Sequence, residues 1–281
     1  MGGLTAVLGR RPAATPGPVH RRHPRSWIRW WPAPAGCVVG AVVFVATYRA
    51  MPDDALITLA FARNLVDHGC WCITDGLEVN TATSPAAVWL DALAYAVLGH
   101  AFWAAGVVFV ACHGALGWLL HHLAGPGALV AGLLLLATSP VLTASVGMET
   151  ILGVVVLLAV TAAAWSGRWA STAVLVATAP VIRPDLAVGA VAAVAACAAA
   201  RRESRRPLLA VGAGAVLVSP WYVFSWWHFG SPWPDTLPVK AFQPGWGDGS
   251  VHLCNSLPLV LQTLPTASWL TVALRVAAVG A

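Results

Sequence analysis

Two adjacent carboxylates, Asp53 and Asp54, follow directly on an apolar segment able to span a bilayer, in a chain with only 10% charged residues. A carboxylate pair where a membrane helix meets water suits general-base work on a lipid-borne substrate. A positioned base contributes ~10²–10⁴-fold to such a reaction. Three more charged groups lie at the ends of apolar runs. They are Glu149 in Gly147-Met148-Glu149-Thr150, Arg183 and Asp185 in Val181-Ile182-Arg183-Pro184-Asp185, and Lys240, the sole lysine, in the segment from Phe229 to about His252. Arginine and lysine match a phosphate, because charge-assisted contacts are roughly twice as strong as neutral ones. Structural roles compete with this chemistry. The aspartates and Glu149 suit helix starts, with Asp53 read as an N-cap, and Arg183 can snorkel to lipid phosphates.

The elements that must position these residues are helices in a membrane. The chain is 58% hydrophobic, above the roughly 45–50% of soluble domains. Apolar runs near membrane length recur, and no alternation of a barrel strand occurs, so the spans are helical. The net charge of +5 does not point to nucleic acid, because the basic residues sort along the apolar runs. Cys37, Cys112 and Cys197 fall in apolar runs, where a thiol is a small hydrophobe. Cys70, Cys72 and Cys254 fall in outer segments, where a disulfide is permitted. Zinc-type spacing is absent from the sequence.

Residues 1–31 carry Arg10, Arg11, Arg21, Arg22, Arg25 and Arg29 among prolines and read as a disordered basic tail, cytoplasmic by the positive-inside rule. Residues 32–281 read as the transmembrane domain, with outer loops over 50–100 and 227–256. The run from Ser84 to Gly99, about sixteen residues, is short for a ~30 Å core and carries Asp91 at its middle. A carboxylate there costs ~2.5–3.5 kcal/mol on insertion scales, so this run is expected to lie in the outer face or dip into it. The remaining runs, 101–120, 127–144, 151–165, 169–182, 186–200 and 208–226, then alternate, and a last segment begins near Leu257. The sequence therefore predicts an all-α polytopic protein of about seven to eight transmembrane helices, with amphipathic or re-entrant helices in a long first outer loop. Every acidic residue except Glu203 falls outside, and the cluster Arg201, Arg202, Arg205 and Arg206 falls inside.

Taken in order, these segments resemble the GT-C superfamily of membrane glycosyltransferases that use a polyprenyl-phosphate sugar donor. The nearest pattern is the actinobacterial branch that builds cell-wall arabinan. The resemblance rests on Asp53-Asp54-Ala55-Leu56-Ile57, Ala62-Arg63-Asn64-Leu65, Asp75-Gly76, and Thr83-Ser84-Pro85 with Trp89. It continues through Gly147-Met148-Glu149-Thr150, Arg183-Pro184-Asp185, and Pro234-Asp235-Thr236 with Lys240. It covers about residues 51–245. The chain has Asn80-Thr81-Ala82 where the family often has Glu-Gly-Tyr, and it stops at Ala281, which implies a short or truncated member.

The resemblance implies an inverting pentosyl- or hexosyltransferase in the plasma membrane, with its N-terminus cytoplasmic and its site extracytoplasmic. The donor is a polyprenyl-phosphate sugar, with arabinofuranose as one candidate, and the acceptor is a cell-envelope glycan or glycolipid. Asp53 or Asp54 is the expected base. Arg63, Asn64, Ser84, Glu149, Arg183, Asp185 and Lys240 are expected substrate-binding residues. Trp71, Trp89, Trp221, Trp226 and Trp227 are candidates for stacking on sugar faces. Clustered carboxylates also suit a divalent metal, which is left open. The alternatives are a sugar-lipid transporter or flippase and a non-catalytic truncated paralogue.

Overall fold

The computed structural model of the protein describes residues 31–74 and 76–236. The basic tail, Lys240, Cys254 and the segment from Leu257 lie outside the described residues. The described part is all-α, with one isolated antiparallel bridge, Cys72 to Glu78, and no sheet among the described residues.

Helix α1 (Pro32–Thr47) begins on a proline, which suits a first turn where no backbone donor is needed. A short 3₁₀ turn, Tyr48–Ala50, follows it. Helix α2 (Asp53–His68) has Pro52 at its N-cap. Asp53 and Asp54 occupy its first turn, where negative charge complements the dipole. The N-cap role expected of Asp53 is thus corrected to a first-turn role. Helix α3 (Pro85–Leu98) is capped by Ser84, whose Oγ accepts from the Ala87 backbone N–H at 3.4 Å.

Helix α4 (Ala101–Thr138) is interrupted at Gly125, with φ 82° and ψ −171°, followed by Pro126. Beyond this break the chain turns back on itself, because Gly132 lies against the Leu120 side chain. A continuous helix would hold those residues ~18 Å apart along its axis. The short α5 (Pro140–Thr143) leads to α6 (Thr150–Trp165), α7 (Trp169–Ile182), α8 (Leu186–Arg201) and α9 (Arg205–Phe229).

Packing is set by small residues and three apolar cores. Gly36 and Gly40 of α1 sit against the backbone and side chain of His113 in α4, too close for any Cβ, the small-residue contact by which membrane helices approach. One core joins Phe44, Phe109, Leu116, Leu129, Leu133 and Ile151. A second joins Val160, Ile182 and Val194 of α6, α7 and α8, and a third, smaller one joins Phe61 of α2, Val88 of α3 and Ala82. Large apolar side chains also cover the outside, with Val97 80%, Val188 75% and Trp227 86% exposed. Such a surface belongs in lipid rather than water, and it supports a multi-pass membrane location.

The expected count of seven to eight spans is overturned. Among the described residues three helices are long and apolar enough to cross a membrane: Pro32–Ala50, Ala101–Thr138 and Arg205–Phe229. Helices α3, α6, α7 and α8 have 14 to 16 residues, about 21–24 Å at 1.5 Å per residue, against a hydrocarbon core of ~30 Å. Apolar composition runs up to the breaks at Gly99, Ser166–Arg168, Arg183–Asp185 and Arg202–Ser204, but the helices between those breaks lack the axial length.

Candidate functional site

The residues that could do chemistry gather where α2 begins, α6 begins and α7 ends. Gly147 has φ 80°, and a Cβ there would meet Met51 Sδ at 3.1 Å and Ala55 Cβ at 3.2 Å. Only glycine lets the turn before α6 press this closely on the start of α2. The contact brings the Asp53–Asp54 turn beside the turn that carries Glu149. Asp53 and Asp54 are both exposed.

Glu149 stands at the N-cap of α6 without capping it by its side chain, and it is 6% exposed. Its Oε1 lies 3.5 Å from Arg183 Nη1, an ion-pair separation. Arg183 also donates from Nε to Asp185 Oδ1 at 3.0 Å. The guanidinium therefore bridges a buried carboxylate and an exposed one. Arginine suits this because its planar fork presents several donors and keeps its charge.

A small cavity of about 20 Å³ opens behind Glu149, lined by Asp91, Phe109, Cys112, Gly147 and Met148 among others. That is room for one water molecule. Asp91, near the middle of α3, is 3% exposed. Burial pushes its carboxyl up to about 7, since the charged form loses its hydration. Sequence reasoning used Asp91 to place α3 and missed it as a neighbour of Glu149. The signal was there, because an ionisable residue in an apolar helix is a functional candidate by default.

The other expected site residues lie elsewhere or are engaged. Arg63 is exposed about ten residues along α2, ~15 Å from the Asp53 turn. Its charge acts on Tyr95, whose hydroxyl donates to Asp67 Oδ2 at 3.0 Å. Asn64 is buried, and its amide donates to the carbonyls of Cys72 at 3.0 Å and Ile73 at 2.7 Å. Cys70 and Cys72 form a disulfide inside the loop that Asn64 pins. Ser84 is spent on capping α3. Lys240 is outside the described residues.

A second polar knot ties the first loop to the end of α9. Asn80 is 3% exposed, and its amide nitrogen lies 3.1 Å from Ser225 Oγ, 3.2 Å from the Ser231 carbonyl and 2.8 Å from the Trp233 carbonyl. The Asp235 N–H donates back to the Asn80 carbonyl at 2.8 Å, and Glu78 pairs with His228 at 2.8 Å. In the sequence Asn80 stands out only as a departure from a family pattern. Beside this knot the rings of Trp71, Trp89 and Trp221 lie 5.0–6.3 Å apart, whereas Trp226 and Trp227 are exposed on α9.

At the opposite ends of α6 to α9, Arg201 binds Glu203 at 2.9 Å and the Trp165 carbonyl at 2.8 Å. The clusters of opposite charge balance thus sit at opposite ends of these helices. Among the described residues no group of three or more His, Cys, Asp or Glu is arranged to hold a metal ion. The chain matches no protein-family model, no curated protein and no solved structure.

Proposed function

We propose that this protein is a membrane glycosyltransferase that takes sugar from a polyprenyl-phosphate carrier at the Asp53–Glu149–Arg183 end of its helices. The observation that carries this reading is the bridge from Glu149 through Arg183 to Asp185 beside the acidic first turn of α2. A carboxylate and a phosphate-matching cation are thereby offered together at the margin of an apolar bundle. Asp53 or Asp54 accepts the proton of an acceptor hydroxyl while its oxygen attacks the anomeric carbon. The bond from that carbon to the phosphate oxygen breaks with inversion, and its electron pair leaves on the polyprenyl phosphate. Arg183 faces the charge that develops on this leaving group, and Glu149 orients Arg183 or the donor hydroxyls. The motifs at Asp53, Arg63, Ser84, Glu149 and Arg183 make the GT-C superfamily, and within it the arabinan-building branch, the family proposed. Arg201, Arg202, Arg205 and Arg206 at the far end favour a cytoplasmic placement of that end by the positive-inside rule. The site would then be extracytoplasmic.

A flippase for the same sugar lipid is the second reading, favoured by the buried Asp91, since acids within apolar bundles often mark translocation paths. The purified protein in vesicles, given radiolabelled polyprenyl-phosphate sugar and an oligosaccharide acceptor, separates the two. Transfer that is abolished in Asp53→Asn or Asp54→Asn supports the enzyme. Movement of the labelled lipid across the vesicle without transfer supports the flippase and sinks the transferase.

A further inference from the structure

Three hollows in the surface join into one groove. The first, about 470 Å³, lies at the end of α1 and is walled by Tyr48, Arg49, Met51, His100 and Trp103 among others. The second, about 560 Å³, shares Trp103 with it and continues between α1 and α4 past Phe44 and Val107. The third, about 530 Å³, shares Leu98, Val107 and Ala111 with the second and runs between α3 and α4 to Val155 of α6.

The two ends of this groove differ in chemistry. At the mouth, Arg49 is exposed and donates from Nε to the Tyr48 hydroxyl at 3.0 Å. The Tyr48 and Trp103 rings are stacked with centroids 6.1 Å apart, and His100 lies 6.4 Å from Trp103. An arginine among aromatic rings at the end of an apolar helix matches the level of lipid headgroups. Beyond Trp103 the walls are hydrocarbon with the thiols of Cys37 and Cys112, and Leu93, Val97 and Val107 are exposed. No side chain there offers a hydrogen bond stronger than a thiol's to a polar ligand, so the floor suits a hydrocarbon chain. Asp53 and Asp54 begin the next helix, and Arg49 is the cation that the mouth offers to an anion.

We propose that this groove is a binding site for one anionic lipid, with its phosphate on Arg49 and its hydrocarbon chain along the floor formed by α1, α3 and α4. Charge complementarity selects the headgroup, and the shared walls of the three hollows select the chain. The site does not depend on sugar transfer.

The test uses the full chain in vesicles of equal parts phosphatidylglycerol and phosphatidylcholine, extracted in mild detergent, with retained lipid counted by native mass spectrometry. Phosphatidylglycerol is expected to be retained over phosphatidylcholine. Arg49→Gln is expected to lower that ratio about fivefold, the worth of one arginine at an anionic lipid surface. Ala111→Phe fills the strip common to the second and third hollows, and Ala111 is exposed, so the larger ring does not crowd a packed core. That variant is expected to lose retained lipid of both kinds. An unchanged ratio in Arg49→Gln overturns the proposal, as does an unchanged lipid count in Ala111→Phe. So does a preference for phosphatidylcholine, whose choline the rings and carboxylates would then be binding, or a lipid-free cross-linked dimer sealed across the groove.

Discussion

The buried amide of Asn80 reaches the hydroxyl of Ser225 at 3.1 Å, a contact between residues 145 positions apart. With the Ser231 and Trp233 carbonyls also in reach, this one side chain fastens the first loop to the end of α9. Asn80→Ala removes this amide donor, while the Ser231 carbonyl keeps its bond from Ser225 Oγ at 2.8 Å and the Trp233 carbonyl its bond from Ser231 Oγ at 2.8 Å, so the cost is about 0.5–1.5 kcal/mol. The expected result is a lower thermal midpoint in detergent, together with faster proteolysis in the loop between α2 and α3. Unchanged proteolysis there would show that the knot does not hold the loop.

Gly147→Ala tests the contact between the turn before α6 and the start of α2. The new methyl meets Met51 and Ala55 at 3.1–3.3 Å from a backbone at φ 80°, so strain and crowding act together. A destabilisation on the order of 1–3 kcal/mol is expected, with transfer activity falling more steeply than stability because the Asp53–Asp54 turn is displaced from Glu149. Met51→Ala in the same chain relieves the contact with Met51 but neither that with Ala55 nor the strain, and partial rescue is the expected outcome. Equal activity in wild type and Gly147→Ala would mean that the two turns need not meet.

Reading the sequence located this end of the molecule through residue types that are costly in lipid. The acids and arginines at 53–54, 149 and 183–185 interrupt apolar runs, and the structure brings the Glu149, Arg183 and α2 turns together. Helix starts and stops were also legible, from Ser84-Pro85 before α3 and from Gly69 and Gly99, both at φ 65°, after α2 and α3. Span number was not legible, because composition along a run does not report how much of it is helical rise. The turn at Gly125 and Pro126 falls in the gap between the runs 101–120 and 127–144, whereas the axial length of α6 to α8 is decided by breaks that an apolar count passes over. The roles of Asn64 and Asn80 were hidden for a different reason. Their partners are backbone carbonyls and a serine, and such pairings depend on tertiary contact rather than on local pattern.

Arg183 should separate charge from geometry. Arg183→Lys keeps a cation but cannot bridge Glu149 and Asp185 as a planar fork does, whereas Arg183→Gln removes the charge and strands a carboxylate that is 6% exposed. Under the proposed mechanism, Arg183→Gln loses about 10²–10³-fold in transfer rate, the scale seen when one group stabilising developing charge is removed. Arg183→Lys is expected to fall between it and wild type. Asp185→Asn, at an exposed position, is expected to have little effect on the rate. A Glu149→Gln, Arg183→Gln double variant as active as wild type would remove this pair from the chemistry.

Asp91 makes stability depend on pH in a definite direction. Its carboxyl is raised by burial from 3.8 to about 7, so the folded state favours the protonated form relative to the unfolded chain. This raised value contributes no penalty below about pH 4, where both states are protonated. Between pH 4 and 7 the unfolded chain ionises while the folded one does not, and stability falls as pH rises. Above about pH 7 the penalty is constant and on the order of a few kcal/mol, because each tenfold change in proton affinity is worth about 1.4 kcal/mol. The thermal midpoint of the detergent-solubilised protein is therefore expected to decline from pH 5 to pH 7 and to level off near pH 8. Asp91→Asn, which keeps the shape and cannot ionise, is expected to flatten this decline and to make the protein more stable than wild type at pH 8. The same slope in Asp91→Asn as in wild type would assign the pH dependence to other carboxylates.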